Sequence, residues 1–155
     1  MRIILLTFFL SLFFSCKLAA DISIYSINDL HGIAIRETRS ICQDSDGFIW
    51  AASRNGILKI TDGYCKVYKL QYKNANVGWT KVAFKHHLYV YTNNGQIYVY
   101  NTVKDSFEQI ADLKNHSDNK FFNIYDLLED DFGNVWISSF TGLDQYNETM
   151  KKVKP

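Results

Sequence analysis

Ser40-Ile-Cys-Gln-Asp-Ser-Asp-Gly-Phe-Ile-Trp-Ala-Ala-Ser-Arg-Asn-Gly-Ile57 and Asp126-Leu-Leu-Glu-Asp-Asp-Phe-Gly-Asn-Val-Trp-Ile-Ser-Ser-Phe-Thr-Gly-Leu143 can be laid over one another without a gap. Asp44, Gly47, Trp50, Ser53 and Gly56 recur as Asp130, Gly133, Trp136, Ser139 and Gly142, all at a shift of 133 − 47 = 86. That shift exceeds one unit of any common repeat, so half of it, about 43, points to a degenerate copy in between. Leu88-Tyr-Val-Tyr-Thr-Asn-Asn-Gly95-Gln-Ile-Tyr-Val-Tyr100 supplies it, with Tyr89 in the Trp place, Thr92 in the Ser place and Gly95 in the Gly place. The extra length before the third copy falls in the polar stretch Lys114 to Lys120, a loop by composition.

Each unit reads as four short strands. In the first they are about Arg39 to Gln43, Phe48 to Ser53, Ile57 to Thr61 and Cys65 to Tyr68, separated by Asp44-Ser-Asp-Gly47, Arg54-Asn-Gly56 and Asp62-Gly63. Asn-Gly and Asp-Gly accept the positive φ of tight hairpins, and Asp at the start of a turn can bond backbone two positions on. Between the turns the chain alternates, Leu88, Val90 and Thr92 against Tyr89 and Tyr91. A four-stranded meander repeated every 40 to 45 residues or so is the sign of a propeller blade. The expected fold is therefore all-β, a β-propeller fragment of about three four-stranded blades at roughly 39–70, 81–112 and 124–155, with the ring not closed. Trp50 and Trp136 lie mid-strand among β-formers, where a large ring packs against the next blade. Trp79 falls outside the repeat register, which leaves core packing and ligand stacking open for it.

The mature region is expected to span 21–155, because the first twenty residues differ from the rest. Arg2 followed by the apolar run Ile3 to Phe14 reads as a signal peptide, too short at about twelve residues to span a bilayer. Two processing outcomes compete: cleavage after Leu18-Ala19-Ala20, and lipidation of Cys16 in a relaxed lipoprotein box. An exported, periplasmic chain, either free or lipid-anchored, is expected, with no transmembrane span after the signal peptide. Cys42 and Cys65 then remain, on the first and fourth strands of one blade, about 14 Å apart and too far for a disulfide. They are expected to be two small buried side chains.

The 155 residues carry 17 Lys and Arg against 16 Asp and Glu, with no basic run longer than Lys151-Lys152, which excludes nucleic acid as a partner. Asp44 with Asp46, and Glu129 with Asp130 and Asp131, repeat in the same turn and read as turn geometry rather than acid–base or calcium chemistry. Adjacent His86 and His87 point apart on a strand, and neither His31 nor His116 has a partner at ligand spacing. No catalytic, cofactor or metal site is expected, and Asn115 and Asn147 head glycosylation sequons that matter only in a eukaryotic cell.

The pattern Ile/Leu-x-x-Asp-x-x-Gly-x-x-Trp-x-x-Ser/Thr-x-x-Gly-Leu/Ile, here Ile41 to Ile57 and Leu127 to Leu143, resembles the two-component regulator propeller repeat. The lead-in Tyr25 to Gly32 is similar to the segment that precedes the first full repeat in such sensors. The resemblance implies the periplasmic sensor region of a Bacteroidetes-type hybrid histidine kinase, in which the repeats form seven-bladed propellers that sense glycan fragments. The chain departs from that pattern by stopping at Pro155, with no kinase, receiver or helix-turn-helix motif. The expectation is thus a non-catalytic, truncated sensor fragment whose relatives take an oligosaccharide, with loops such as Asp62 to Gly63 and Lys114 to Asn123 bordering the ligand surface. The alternatives are an exported scaffold that completes its ring by self-association, and a truncated propeller carbohydrate-active enzyme. Three open blades expose flat apolar faces, so either missing blades or another copy should cover them.

Overall fold

The computed structural model describes residues 22–61, 63–71, 79–116, 123–147 and the strand at 152–154. Residues 1–21, with the expected signal peptide and Cys16, as well as Asp62 and the stretches 72–78 and 117–122, lie outside the described residues. Among the described residues, twelve strands form three sheets. Blade 1 contains β1 (Ser40–Gln43), β2 (Ile49–Ser53), β3 (Gly56–Thr61) and β4 (Tyr64–Tyr68); blade 2 contains β5 (Thr80–Phe84), β6 (Leu88–Thr92), β7 (Gln96–Asn101) and β8 (Ser106–Asp112). Blade 3 contains β9 (Ile124–Glu129), β10 (Val135–Ser139), β11 (Gly142–Asn147) and β12 (Lys152–Lys154). Each sheet is an antiparallel meander in chain order, and the three do not close a ring. The α-helix among the described residues is one short piece, Ile27–His31, in the lead-in, and Leu113–His116 form a 3-10 turn where a plain loop was expected.

The repeated residues owe their spacing to bonds that recur in each unit. Asp44 Oδ1 accepts from the backbone N–H groups of Asp46 and Phe48, at 3.0 and 2.9 Å, and so closes the β1–β2 turn. Its Oδ2 accepts from the indole N–H of Trp50 at 2.6 Å. In blade 3 Asp130 does the same for Phe132, Asn134 and Trp136. One carboxylate thus shapes the turn and aims the ring six residues later, while Gly47 and Gly133 supply the positive φ (85° and 78°) that the turn needs. At the other end of β2 the Ser53 hydroxyl donates to Gly56 O and accepts from Asn55 N, bracing the β2–β3 hairpin. Thr92 and Ser139 brace the equivalent hairpins in their own blades.

Register then decides which way each ring looks. Cys42, Trp50, Lys59 and Lys66 are cross-strand neighbours, so their side chains share a face. That face turns to blade 2: the Trp50 ring lies 4.8 Å from Tyr100 and 5.9 Å from Phe107, centre to centre, as well as 5.6 Å from Tyr68 of its own blade. Trp50 is fully buried in one core with Ala52, Ile57, Val82, Leu88 and Val90. Tyr89, which takes the Trp place in blade 2, is buried in a second core with Leu127, Val135 and Ile137 of blade 3. Trp136 occupies the same place in blade 3 but faces outward and is half-buried.

Three local expectations need correction. Glu129 is not part of an exposed turn: it ends β9, pairs with Val135 and is 3% exposed, because alternation puts it on the same face as Leu127, toward blade 2. Cys42 and Cys65 are free, as the strand spacing requires, but half-buried rather than buried, since Cys65 lies on the outermost strand of the blade. The turn at Gly63 and the loop that starts at Lys114 lie at opposite ends of the blades, because successive strands of a meander reverse direction.

Candidate functional site

Antiparallel order gives the blades two ends of different chemistry. One carries the β1–β2 and β3–β4 turns; the other carries the β2–β3 hairpins and the chain entering each first strand.

At the first end most of the described carboxylates are bound into the structure. Glu129 accepts from the backbone N–H groups of both His86 and His87 at 2.9 Å, and its Oε1 lies 2.7 Å from His87 Nδ1. Burial pushes its carboxyl up, but the three bonds from the histidine turn outweigh that and hold it below the usual carboxylate range. Beside it Lys85 pairs with Asp131 at 2.6 Å, so blade 2 is fastened to blade 3 twice. Asp105, in the β7–β8 turn, accepts from Lys66, Tyr68 and Tyr100 and fastens blade 1 to blade 2. The lysine first, then the two phenols, hold its carboxyl far below its ordinary value. Asp130 is held equally low, by the Asn134 amide and then the Trp136 indole N–H. Carboxylates with such partners accept hydrogen bonds and do not trade protons near neutral pH. Among the described residues no group of three or more His, Cys, Asp or Glu could hold a metal ion.

The second end is built differently. The β2–β3, β6–β7 and β10–β11 hairpins are each tied to the segment that leads into their own blade: Arg54 N donates to Arg36 O, Asn93 N to Trp79 O and Phe140 N to Asn123 O, at 3.1, 3.1 and 3.0 Å. Glu37, at a positive φ of 53°, bridges Arg54 at 3.1 Å and Arg39 at 3.5 Å. Three arginines against one carboxylate leave blade 1 electropositive there. At blade 2 the half-buried Trp79 is held by its backbone N–H on Asn93 Oδ1, by a perpendicular contact with Tyr91, and by Lys81, whose Nζ lies 5.2 Å from the ring centre. Lys81 also donates to Tyr125 O at 2.9 Å, and Ser40 Oγ accepts from Val82 N at 2.7 Å, so the first strands of the three blades stand side by side. Guanidinium groups, an anchored half-exposed indole and amide side chains at one end of the blades have the chemistry for stacking and hydrogen bonding to a polar ligand.

The sequence pointed to Asp44, Gly47, Trp50, Gly56, Gly95, Asp130, Gly133, Trp136 and Gly142 as repeat positions; the structure puts Asp44, Gly47, Asp130 and Gly133 in turns at the opposite end, Trp50 and Trp136 on blade faces, and Gly56, Gly95 and Gly142 in the hairpins of this end. Arg36, Glu37, Arg39 and Lys81 were not singled out, because they fall in the lead-ins or at the start of the first strands, where the repeat is least regular. Trp79 carried the one usable signal, an aromatic ring out of register.

Comparison with known proteins agrees with this architecture. A family model described as two component regulator propeller matches residues 32–55 and 123–141. No curated protein matches the chain. The extracellular domain assigned to a hybrid two component system of B. thetaiotaomicron superposes with a TM-score of 0.59 at 16% identity, over 79% of this chain and 18% of that one. A second such domain from that organism gives 0.63 at 15% identity, over 79% and 16%. A catalytically inactive virginiamycin B lyase from Staphylococcus aureus with quinupristin gives 0.60 at 18% identity, over 76% and 40%. The chain therefore spans under a fifth of the two extracellular domains and two fifths of the lyase. Two stretches of its repeats thus match the two component regulator propeller model, and the likeness to the solved structures shows a shared β-propeller fold. No helix among the described residues is long and apolar enough to cross a membrane.

Proposed function

We propose that this chain contributes part of an exported, periplasmic ligand-sensing propeller that has no catalytic chemistry of its own, and that the ligand is an oligosaccharide. The observation that carries the reading is the end of the blades that bears Arg36, Arg39, Arg54, Trp79 and Lys81, where an indole held against Tyr91 and Lys81 shares that end with three arginines. A flat ring stacks on the apolar face of a sugar, while guanidinium and amide groups bond its hydroxyls or carboxylates. The carboxylates of Asp44, Asp105, Glu129, Asp130 and Asp131 at the opposite end support a non-catalytic role, since these are engaged in turn or blade-to-blade bonding.

Calorimetric titration of the purified protein with a panel of neutral and acidic oligosaccharides tests it. Saturable binding is expected, with Trp79→Ala weakening it about tenfold or more, the scale of losing one stacking anchor. Val103→Ala, a change at an exposed turn at the far end, should leave binding unchanged. Absence of binding across the panel, or binding indifferent to Trp79→Ala, would refute the assignment. Incubation with labelled ATP should give no phosphate incorporation.

A further inference from the structure

One position of the repeat keeps its backbone task from blade to blade while its side chain changes. It is the residue that follows Ser53, Thr92 and Ser139 and opens the hairpin at the second end of each blade. Its N–H donates to a lead-in carbonyl in all three blades, yet its side chain is that of Arg54, then Asn93, then Phe140. A side chain that the hairpin itself required would recur, as Asp44 recurs at Asp130 and Gly56 at Gly142. Asn93 turns its amide oxygen to the Trp79 N–H at 3.1 Å. Arg54 instead reaches Glu37 through Nη1, at 3.1 Å, and its side chain stays 72% exposed although a complete blade follows it.

An arginine has five N–H donors or so in a planar fork, and a carboxylate met through one nitrogen leaves the rest of the fork for a second acceptor. Glu37 is also shared with Arg39, at 3.5 Å, so one carboxylate restrains two guanidinium groups without neutralising both. Arg36, exposed in the same lead-in, adds a third cation. Trp79 precedes β5, which packs against both β1 and β2 and starts at the end where β2 gives way to Arg54. Arg54 and Trp79 therefore belong to one stretch of surface that crosses the boundary between blades 1 and 2.

We propose that Arg54 reads a uronate carboxylate, so that the ligand of this surface is an acidic oligosaccharide with one sugar stacked on Trp79 and its acid group on the Arg54 fork. The inference rests on the oligosaccharide reading above and specifies it. Fork and carboxylate match in shape, and two parallel charge-assisted bonds recognise the acid where a hydroxyl offers one.

Calorimetric titration with uronate-containing oligosaccharides, each paired with its carboxyl-reduced counterpart, tests the proposal. The protein should prefer the acidic member of a pair by about tenfold or more, and the preference should shrink as sodium chloride is raised. Arg54→Asn, the residue type that blade 2 carries at this position, should abolish the preference and leave affinity for the reduced sugar within about twofold. Arg54→Lys, which keeps the charge but loses the planar fork, should retain part of the preference. Far-UV circular dichroism and urea unfolding should show both variants folded, since the N–H of residue 54 still reaches Arg36 O. Equal affinity for the two members of each pair, or a preference that survives Arg54→Asn, would overturn the role of Arg54 while binding that depends on Trp79 still upholds the oligosaccharide reading. Absence of binding to every member of the panel would overturn both.

Discussion

Replacing Trp50 with alanine removes a ring that is fully buried between two blades and wedged against Tyr68, Tyr100 and Phe107 at centre distances of 5.6, 4.8 and 5.9 Å. About 200 Å² of aromatic surface at ~25 cal/mol/Å² corresponds to about 5 kcal/mol, and measured losses for such truncations run at about 3–5 kcal/mol. The change also strips Asp44 of the indole N–H that it accepts at 2.6 Å. Trp136 makes the same bond to Asp130, at 2.9 Å, but only half of its ring is covered within one copy, so Trp136→Ala should cost about 2 kcal/mol. The assay is urea denaturation followed by far-UV circular dichroism, at concentrations low enough for the protein to be monomeric. A domain of this size has only about 5–15 kcal/mol to lose, and Trp50→Ala could remove most of it. Trp50→Phe is therefore the companion variant: it keeps most of the packing, drops the bond to Asp44, and should cost about 1–2 kcal/mol. Equal costs for the two alanine variants in the monomer would refute the assignment of the two faces, as would a cost below about 1 kcal/mol for Trp50→Ala.

Glu129→Gln keeps the shape but removes the charge that two backbone N–H groups and the His87 ring share, and should cost about 1.5–3 kcal/mol in the same denaturation assay. Acid should weaken the fold in a defined window. Asp105, Asp130 and Asp131 all have carboxyls held below their unfolded values, so their stabilisation is full above about pH 4 and is lost as pH falls through the lower folded values. Asp130→Asn should flatten the acid limb of a stability-against-pH curve, and an unchanged limb would contradict the assignment. Gly56→Ala should cost more than about 1 kcal/mol by thermal or urea unfolding, since its φ is 141° and an added Cβ would stand 2.5 Å from Tyr68 O. Gly63→Ala, with nothing within 4 Å of an added Cβ, should be close to neutral.

Sequence alone was enough for everything that is local and periodic. The 86-residue shift, the Asp-x-x-Gly turns and the strict alternation of segments such as Leu88 to Thr92 carry the strands, their turns and the blade repeat, because a strand's period and a turn's φ requirements are written in neighbouring residues. Tertiary structure decided which of two equivalent faces meets a neighbour. Trp50 and Trp136 are indistinguishable by spacing, yet one is sealed by Tyr100 and Phe107 while the other is half open, because only one has a following blade among the described residues. Glu129 reads as one more acidic turn residue until the backbone of His86 and His87, more than 40 residues earlier, is brought to its oxygens. The rim of Arg36, Arg54, Trp79 and Lys81 likewise gathers residues from separate lead-ins and hairpins that no window of sequence contains. Chain reversal at each turn sets which loops share an end, and the packing of first strand against first strand sets which lead-ins meet.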